Sequence, residues 1–259
     1  MGNNAAPFEV LKKGGLLVSN LNEDIDKILL RLKTRAEKEN VIWEVDDFLY
    51  IDSKITGFSM NGYVKASEVK DLVLPMFSDK GVKVISIAPN AFYRQALTSV
   101  SMPNSIKMVG YNAFRCNNLT HLKLSDNLKH IGEYAFCENK IEGLLLPDTL
   151  KTINQSAFMY NSLKYLIVPE NVSIIAENAF AYNKIEKVDF FGFKVTNIME
   201  RAFAKNDIKQ LTIPDSVEEM DGSAFEGNKS GKVKIAVKTK GGFFVNSKHL
   251  KTEKTYVLL

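Results

Sequence analysis

The chain has 259 residues, of which 45% are hydrophobic and 25% are charged, a composition typical of a folded protein and too apolar for a disordered one. The net charge of +4 is concentrated at the C-terminus, where residues 232–259 hold seven Lys and one Glu, so the body gives no indication of nucleic-acid binding. Two Cys exclude a disulfide framework, and no apolar run approaches the roughly 18 residues of a membrane helix, so we expect a soluble domain without a membrane span.

The first predicted segment is 1–47. Within it, residues 20–40 carry apolar side chains at helical spacing, at Leu21, Ile25, Ile28, Leu29 and Leu32. This pattern predicts an amphipathic helix, which together with Trp43 would cover the exposed first coil of a repeat structure. The opening residues show neither the charged region nor the apolar region of a secretion signal.

A repeat dominates the second segment, 48–237. The dipeptide Ala-Phe recurs every 22 or 23 residues, at Ala91-Phe92, Ala113-Phe114, Ala135-Phe136, Ala157-Phe158, Ala179-Phe180, Ala202-Phe203 and Ala224-Phe225. A period of this length is the signature of a solenoid, in which each repeat forms one coil.

The spacing within a repeat predicts which side chains point inward, counting positions from its Ala. Positions +9 and +11 are apolar, as in Leu144 and Leu146, and would share the inner face of a short strand because strand side chains alternate. Apolar residues at −7 and −4 would point inward from a second short segment. Asn stands at +4 in all repeats but the first, and its amide could bond backbone groups of its own and the adjacent coil.

These features predict a mostly β, α/β repeat solenoid, a right-handed superhelix of about seven coils that share one core. A parallel sheet of short strands would lie along one face, and the N-terminal helix would form a cap. Residues 238–259 are predicted to be a basic C-terminal cap or tail.

The pattern N-x-L-x-x-L-x-L-P-x-x-L-x-x-I-x-x-x-A-F resembles the leucine-rich repeats of BspA-like surface proteins, and the resemblance extends over 48–237. It implies a leucine-rich repeat fold and an extracellular or cell-surface adhesin that binds host matrix or other cells. The alternative is an intracellular scaffold or dimerisation solenoid on the same fold.

The sequence contains few residues in patterns typical of a catalytic site. It contains none of the common hydrolase, nucleotide-binding or zinc-protease motifs, and its three His are scattered. A hydrolase would need carboxylates aligned on the outer strand face, where only Asp189 is acidic. We therefore predict a non-enzymatic protein with no metal and no cofactor. Cys116 and Cys137 lie in adjacent coils but one position out of phase, which favours two separate thiols over a disulfide.

Binding is predicted at the outward strand positions +8 and +10, which are mostly polar. The third and fourth coils break that pattern with apolar residues and a tyrosine, and flanking residues add a charged rim. The predicted protein-binding residues are Tyr165, Leu145, Ile167, His121, Lys123 and Lys187. An apolar patch with a polar rim is typical of protein-binding surfaces, although Leu145 and Ile167 could instead pack on each other or serve a dimer.

A second candidate contact lies in the basic tail. Its lysines could attract a polyanion, although a merely solvated end is the simpler interpretation. These lysines are Lys238, Lys240, Lys248, Lys251 and Lys254.

Overall fold

A computed structural model describes residues 43–192, 194–228, 234–237 and 244–246. These ranges contain all seven Ala-Phe dipeptides of the repeat. The predicted helix at 20–40 and all five lysines of the basic tail lie outside the described residues.

Seventeen short strands and one α-helix make up the regular structure of the described residues. The helix, α1, is Met60–Glu68, and a 3₁₀ turn covers Val45–Asp47. The strands are β1 (Phe48–Ile51), β2 (Lys54–Phe58), β3 (Asp71–Val73), β4 (Ser86–Ile87), β5 (Ser99–Ser101), β6 (Met108–Val109), β7 (His121–Lys123), β8 (His130–Ile131), β9 (Thr152–Ile153), β10 (Tyr165–Val168), β11 (Ile174–Ile175), β12 (Lys187–Phe190), β13 (Asn197–Ile198), β14 (Gln210–Ile213), β15 (Glu219–Asp221), β16 (Lys234–Val237) and β17 (Phe244–Asn246).

The first described unit is irregular and contains the only antiparallel strand pair among the described strands, β1 with β2. Helix α1 follows, and its first turn is capped by the Ser59 hydroxyl, which accepts from the Gly62 amide at 3.2 Å. Trp43 stacks on Phe58 at 5.4 Å between ring centroids, and its indole N–H donates to the Asp71 carbonyl at 2.7 Å. Trp43 therefore packs against the first coil, whereas α1 was not anticipated.

The coils present parallel strands on two sides of the solenoid. On one side the pairing runs β3-β5-β7, then β10-β12, then β14-β16. On the other side, strands of two to five residues pair as β2-β4-β6-β8 and as β9-β11-β13-β15-β17. Parallel strands therefore lie along one face as predicted, and they are interrupted where residues 142–146 form no strand and separate β7 from β10.

The core follows the repeat as the spacing predicts. The Phe of each Ala-Phe pair is buried, and neighbouring rings stack along one interior line at centroid distances of 5.2–5.6 Å. Inward strand residues such as Leu122 and Leu166 are also buried. Leu146 and Phe190 are exceptions, because both are only half-buried.

Asparagine at +4 forms the predicted ladder between coils. In the fourth coil the Asn161 amide donates to the Phe136 carbonyl of the preceding coil at 2.9 Å and to the Phe158 carbonyl at 3.2 Å. Its oxygen accepts from the Ile141 amide at 3.1 Å. The equivalent buried residues with the same kind of bonds are Asn117, Asn139, Asn183, Asn206 and Asn228.

In most coils the Ala-Phe turn contains two residues whose backbone is in the left-handed region, with positive φ. Positions −1 and +3 contain twelve of the fourteen described non-glycine residues with positive φ, for example Ser156 at 53° and Tyr160 at 55°. Between them the Phe amide donates to the Ala carbonyl of the next coil, at 2.9 Å from Phe136 to Ala157. The turn thus continues the ladder of backbone hydrogen bonds without glycine, except in the seventh repeat, where Gly227 stands at +3 with a φ of 67°.

Candidate functional site

The candidate site lies on the strand face, defined as the outward residues of β3, β5, β7, β10, β12 and β14 together with residues 142–146. Alternation along β10 turns Leu166 and Val168 into the core and leaves Tyr165 and Ile167 outside. Tyr165 is 39% exposed and Ile167 is half-buried. The predicted orientation of these two residues is therefore confirmed.

Leu145 lies one coil earlier, at the same repeat position as Ile167. It is 41% exposed, but residues 142–146 form no strand, so β10 has no strand partner on that side. The inner residue Leu144 remains buried. The structure thus holds Leu145 outward on irregular backbone at the edge of the sheet that contains Tyr165.

The predicted rim residues divide between two sheets. His121 and Lys123 lie on β7, where they pair with Ser99 and Ser101 of the preceding coil. Lys187 pairs with Tyr165 across β10 and β12. The structure therefore places only Lys187 in the same sheet as Tyr165, and the unpaired coil at 142–146 separates the other two from it.

Ion pairs and hydrogen bonds modify this rim. The Lys187 ammonium lies 2.8 Å from the Asp189 carboxylate on the same strand, so much of its charge is neutralised locally. The His121 ring nitrogen Nδ1 lies 2.8 Å from the Thr120 hydroxyl, and His121 is half-buried. Lys123 is exposed. The face around Tyr165 is therefore closer to neutral than the sequence indicates.

Both cysteines are free thiols. The Cys116 thiol donates to the Glu138 carboxylate at 3.1 Å, and the Arg115 guanidinium donates to the same carboxylate at 2.6 Å. These two hydrogen bonds lower the pKa of Glu138. Burial raises the pKa of the Cys137 thiol to about 12, so this thiol stays protonated and unreactive near neutral pH.

Two features were missed by the sequence reasoning. Cys116 and Glu138 occupy the same +3 position in adjacent coils, so counting that position would have revealed their contact. Tyr160 and Tyr182 also stand at +3, where their rings stack at 4.4 Å while remaining 44% and 40% exposed. The tyrosine pair lies on the edge formed by the Ala-Phe turns and not on the strand face.

The described part of the chain offers no arrangement typical of a metal centre. Among the described residues no three His, Cys, Asp or Glu side chains lie close enough together to hold an ion. Asp189, the acidic residue required by the hydrolase alternative, is engaged by Lys187. Within the same residues no helix has both the length and the apolar character needed to cross a bilayer.

Comparison with known proteins gives a consistent result. The family model described as BspA type Leucine rich repeat region matches in six copies, over residues 85–193, 140–232 and 190–252. A leucine-rich repeat protein of T. pallidum is 23% identical, with a TM-score of 0.54 over 79% of this chain and 83% of that one. A leucine-rich repeat protein of Bacteroides ovatus ATCC 8483 is 19% identical, with a TM-score of 0.64 over 77% of this chain and 55% of that one.

No curated protein matches the chain. The two crystal structures share its solenoid fold, and the family model extends over more than half of its length. The chain therefore belongs to the BspA-type leucine-rich repeat family.

Proposed function

We propose that this chain is a non-enzymatic protein-binding module, a cell-surface adhesin whose strand face contacts a protein of the host matrix or of another cell. The observation that carries the proposal is the exposure of Leu145 and Tyr165 on a face whose other outward residues are mostly polar. A large aromatic residue beside exposed aliphatic residues provides the apolar centre that protein interfaces require.

The chemistry of the face favours binding over catalysis. Its titratable side chains are dispersed over separate sheets. The carboxylate of Asp189, opposite Ile167, is paired with Lys187, and that of Glu142 with Lys164. Catalysis requires a nucleophile, a base and a stabilising group that converge on one point. Ile167 supplies no such group, and Tyr165 supplies a single hydroxyl.

Binding by the strand face is tested with the double variant Tyr165→Ala, Ile167→Ser. We expect it to lose most adhesion to cultured epithelial cells and to immobilised matrix extract, because truncating a central aromatic anchor commonly costs about 2 kcal/mol or more of binding free energy. The matched control is Ser99→Ala, Ser101→Ala, which alters the same two positions on β5. Undiminished adhesion of a Tyr165 variant with an unchanged Tm would place the site elsewhere.

The surface location is tested separately. Labelling intact cells of the source organism with an antibody against this chain should give a signal that brief external proteolysis removes. Labelling only after the cells are made permeable would instead support the intracellular scaffold.

A further inference from the structure

The edge formed by the Ala-Phe turns carries a stacked pair of exposed tyrosines at position +3. Tyr160 lies in the fourth coil and Tyr182 in the fifth. Their ring centroids are 4.4 Å apart and their ring planes differ by 25°, whereas neighbouring rings of the buried phenylalanine column are 5.2–5.6 Å apart. The two tyrosine rings are thus closer together than the rings of the core, although they are 44% and 40% exposed.

The backbone of the turns holds the two side chains parallel. Tyr160 has a φ of 55° and Tyr182 a φ of 56°. The Tyr160 amide donates to the Ala181 carbonyl at 3.0 Å, and the Tyr182 amide donates to the Ala204 carbonyl at 2.9 Å. Because both turns have the same conformation and each is bonded to the following coil, the two side chains leave the backbone in the same direction. The close stack is therefore produced by the repeat itself.

The side chains at +3 in the flanking coils extend away from the tyrosine pair. On one side the Glu138 carboxylate accepts hydrogen bonds from Cys116 and Arg115 of the coil before it. On the other side the Lys205 side chain extends over Gly227 of the coil after it, where an added Cβ would lie 2.7 Å from Lys205 Cδ. The edges of the two tyrosine rings are therefore open to a small molecule in solution.

One other tyrosine pair brings its rings into contact within the described part of the chain, and its geometry is different. The centroids of Tyr111 and Tyr134 are 6.0 Å apart, and their planes differ by 79°, so one ring presents its edge to the other. The Arg115 guanidinium also lies over the Tyr134 ring, 5.3 Å from its centroid. This edge-to-face pair provides an internal comparison for the stacked one.

We propose that Tyr160 and Tyr182 are an oxidative modification site, at which a haem peroxidase with hydrogen peroxide joins the two rings as dityrosine. Each phenol gives up one electron and one proton and becomes a phenoxyl radical. Hydrogen peroxide takes up both electrons and both protons and becomes two molecules of water. The two radicals then combine through a new bond between a Cε carbon of one ring and a Cε carbon of the other.

The stacked geometry favours this coupling. The unpaired electron of a phenoxyl radical lies partly on the Cε carbons, in orbitals perpendicular to the ring, so rings that face each other direct these orbitals at one another. Holding two reacting groups in such an arrangement raises their effective concentration greatly. After the bond forms, each Cε hydrogen moves to its ring oxygen and restores the aromatic ring. The edge-to-face pair of Tyr111 and Tyr134 lacks this orbital overlap.

The protonation state of Tyr160 is compatible with this chemistry. Burial and the adjacent Tyr182 hydroxyl raise the pKa of Tyr160, so its phenol is neutral near neutral pH. Its oxidation therefore releases the proton together with the electron, and no negative charge on this ring separates the pair beforehand.

The new bond would connect two coils that side-chain packing and hydrogen bonds otherwise hold together. It joins positions 22 residues apart, and closing such a loop restricts the unfolded chain and so stabilises the folded one. The strand face with Tyr165 takes no part in it. The inference is thus independent of the proposed function, and either can fail without the other.

Peroxidase oxidation of the full chain at low protein concentration tests the site. We expect dityrosine fluorescence in a product that remains monomeric in denaturing electrophoresis, and a trypsin digest in which fragment 152–164 is joined to fragment 165–184. Tyr182→Phe should lower the dityrosine yield at least about tenfold, because phenylalanine keeps the stacked ring but is not oxidised to a radical. The matched control Tyr111→Phe removes another exposed hydroxyl, from the edge-to-face pair, and should leave the yield unchanged.

A thermal melt of the cross-linked monomer provides a second readout, with a Tm expected to rise by about 5 °C. Fragment 165–184 also contains Tyr165, so a wild-type yield in folded Tyr182→Phe would overturn the proposal. Dityrosine that appears only in dimers and increases with protein concentration would overturn it as well, because the coupling would then occur between molecules. Oxidation of the Cys116 thiol without any dityrosine would have the same consequence.

Discussion

At the residue scale, stability depends on side chains that satisfy backbone groups of two coils at once. Asn161 accepts one buried amide hydrogen bond and donates to carbonyls of its own and the preceding coil. No other side chain of this size is both a donor and an acceptor with this geometry. The repeated asparagine is therefore a structural requirement and not a binding residue.

Replacing Asn161 by Ala should lower the free energy of unfolding by about 2–5 kcal/mol, because it leaves the Ile141 amide and the Phe136 carbonyl without their partner. Urea denaturation measures the change. The control Asn127→Ala removes an exposed asparagine that bonds the Asn104 carbonyl, and should cost less than about 1 kcal/mol. Equal losses for the two variants would contradict a special role for the buried ladder.

The two thiols should differ in reactivity and in their effect at alkaline pH. At about pH 8 a thiol reagent should modify Cys116, which is partly exposed, and spare Cys137, which is buried with a pKa of about 12. Because this pKa lies above that of the thiol in the unfolded chain, the contribution of Cys137 to stability is complete below about pH 9 and is lost as the pH rises toward 12.

Cys137→Ala should therefore lose less stability than the wild-type chain between about pH 8 and pH 10.5. Denaturation at the two pH values measures this difference, and Cys116→Ala is the control. Parallel pH profiles for wild type and Cys137→Ala would show that this thiol does not ionise on unfolding.

At the element scale, the residue that follows each short strand on the side opposite the strand face contacts the backbone of the preceding coil. A Cβ added at Gly132 would lie 2.6 Å from Gly110 C and Tyr111 N, and one added at Gly110 would lie 2.5 Å from Pro89 N. The next coil has Asn154 at this position, and its side-chain amide bonds the Ile131 carbonyl at 2.6 Å. The side-chain amide thus takes a carbonyl that a backbone amide takes in other coils, as the Ala176 amide does for the Ile153 carbonyl at 2.9 Å. On this side of the solenoid the sheets separate there, between β8 and β9.

Gly132→Ala should destabilise the protein by about 1–3 kcal/mol, because the backbone of the preceding coil would have to move to admit the methyl group. Ala176 occupies the same position two coils later, so Ala176→Gly serves as the control and should cost about 0.5–1 kcal/mol. Urea midpoints measure both. A Gly132→Ala variant with an unchanged free energy of unfolding would show that the coils can move apart there without loss of stability.

At the scale of the whole molecule, each coil is stabilised mainly by its neighbours, and the phenylalanine column connects them. Phe136 stacks on Phe114 and Phe158, both at 5.4 Å between ring centroids. It lies next to the level where strand pairing is interrupted on both sides of the solenoid, between β7 and β10 and between β8 and β9. Side-chain packing and the asparagine ladder therefore carry much of the connection between the two halves of the repeat array.

Phe136→Ala should cost roughly 3–5 kcal/mol, as expected for a fully buried aromatic residue. Because Phe136 lies next to the break in strand pairing, we also expect a broader unfolding transition. The two halves of the repeat array would then lose structure at different denaturant concentrations. Circular dichroism during urea denaturation measures both effects. A loss below about 1 kcal/mol with an unchanged slope would contradict this role of the column.

The sequence by itself determined the solenoid, the inward positions and the orientation of Tyr165 and Ile167, because these follow from a period of 22 residues and from alternation along a strand. It did not determine which strands pair, since Asn154 acts through a neighbouring coil. It also did not predict the ion pair that neutralises Lys187, since each partner's position depends on a side-chain rotamer.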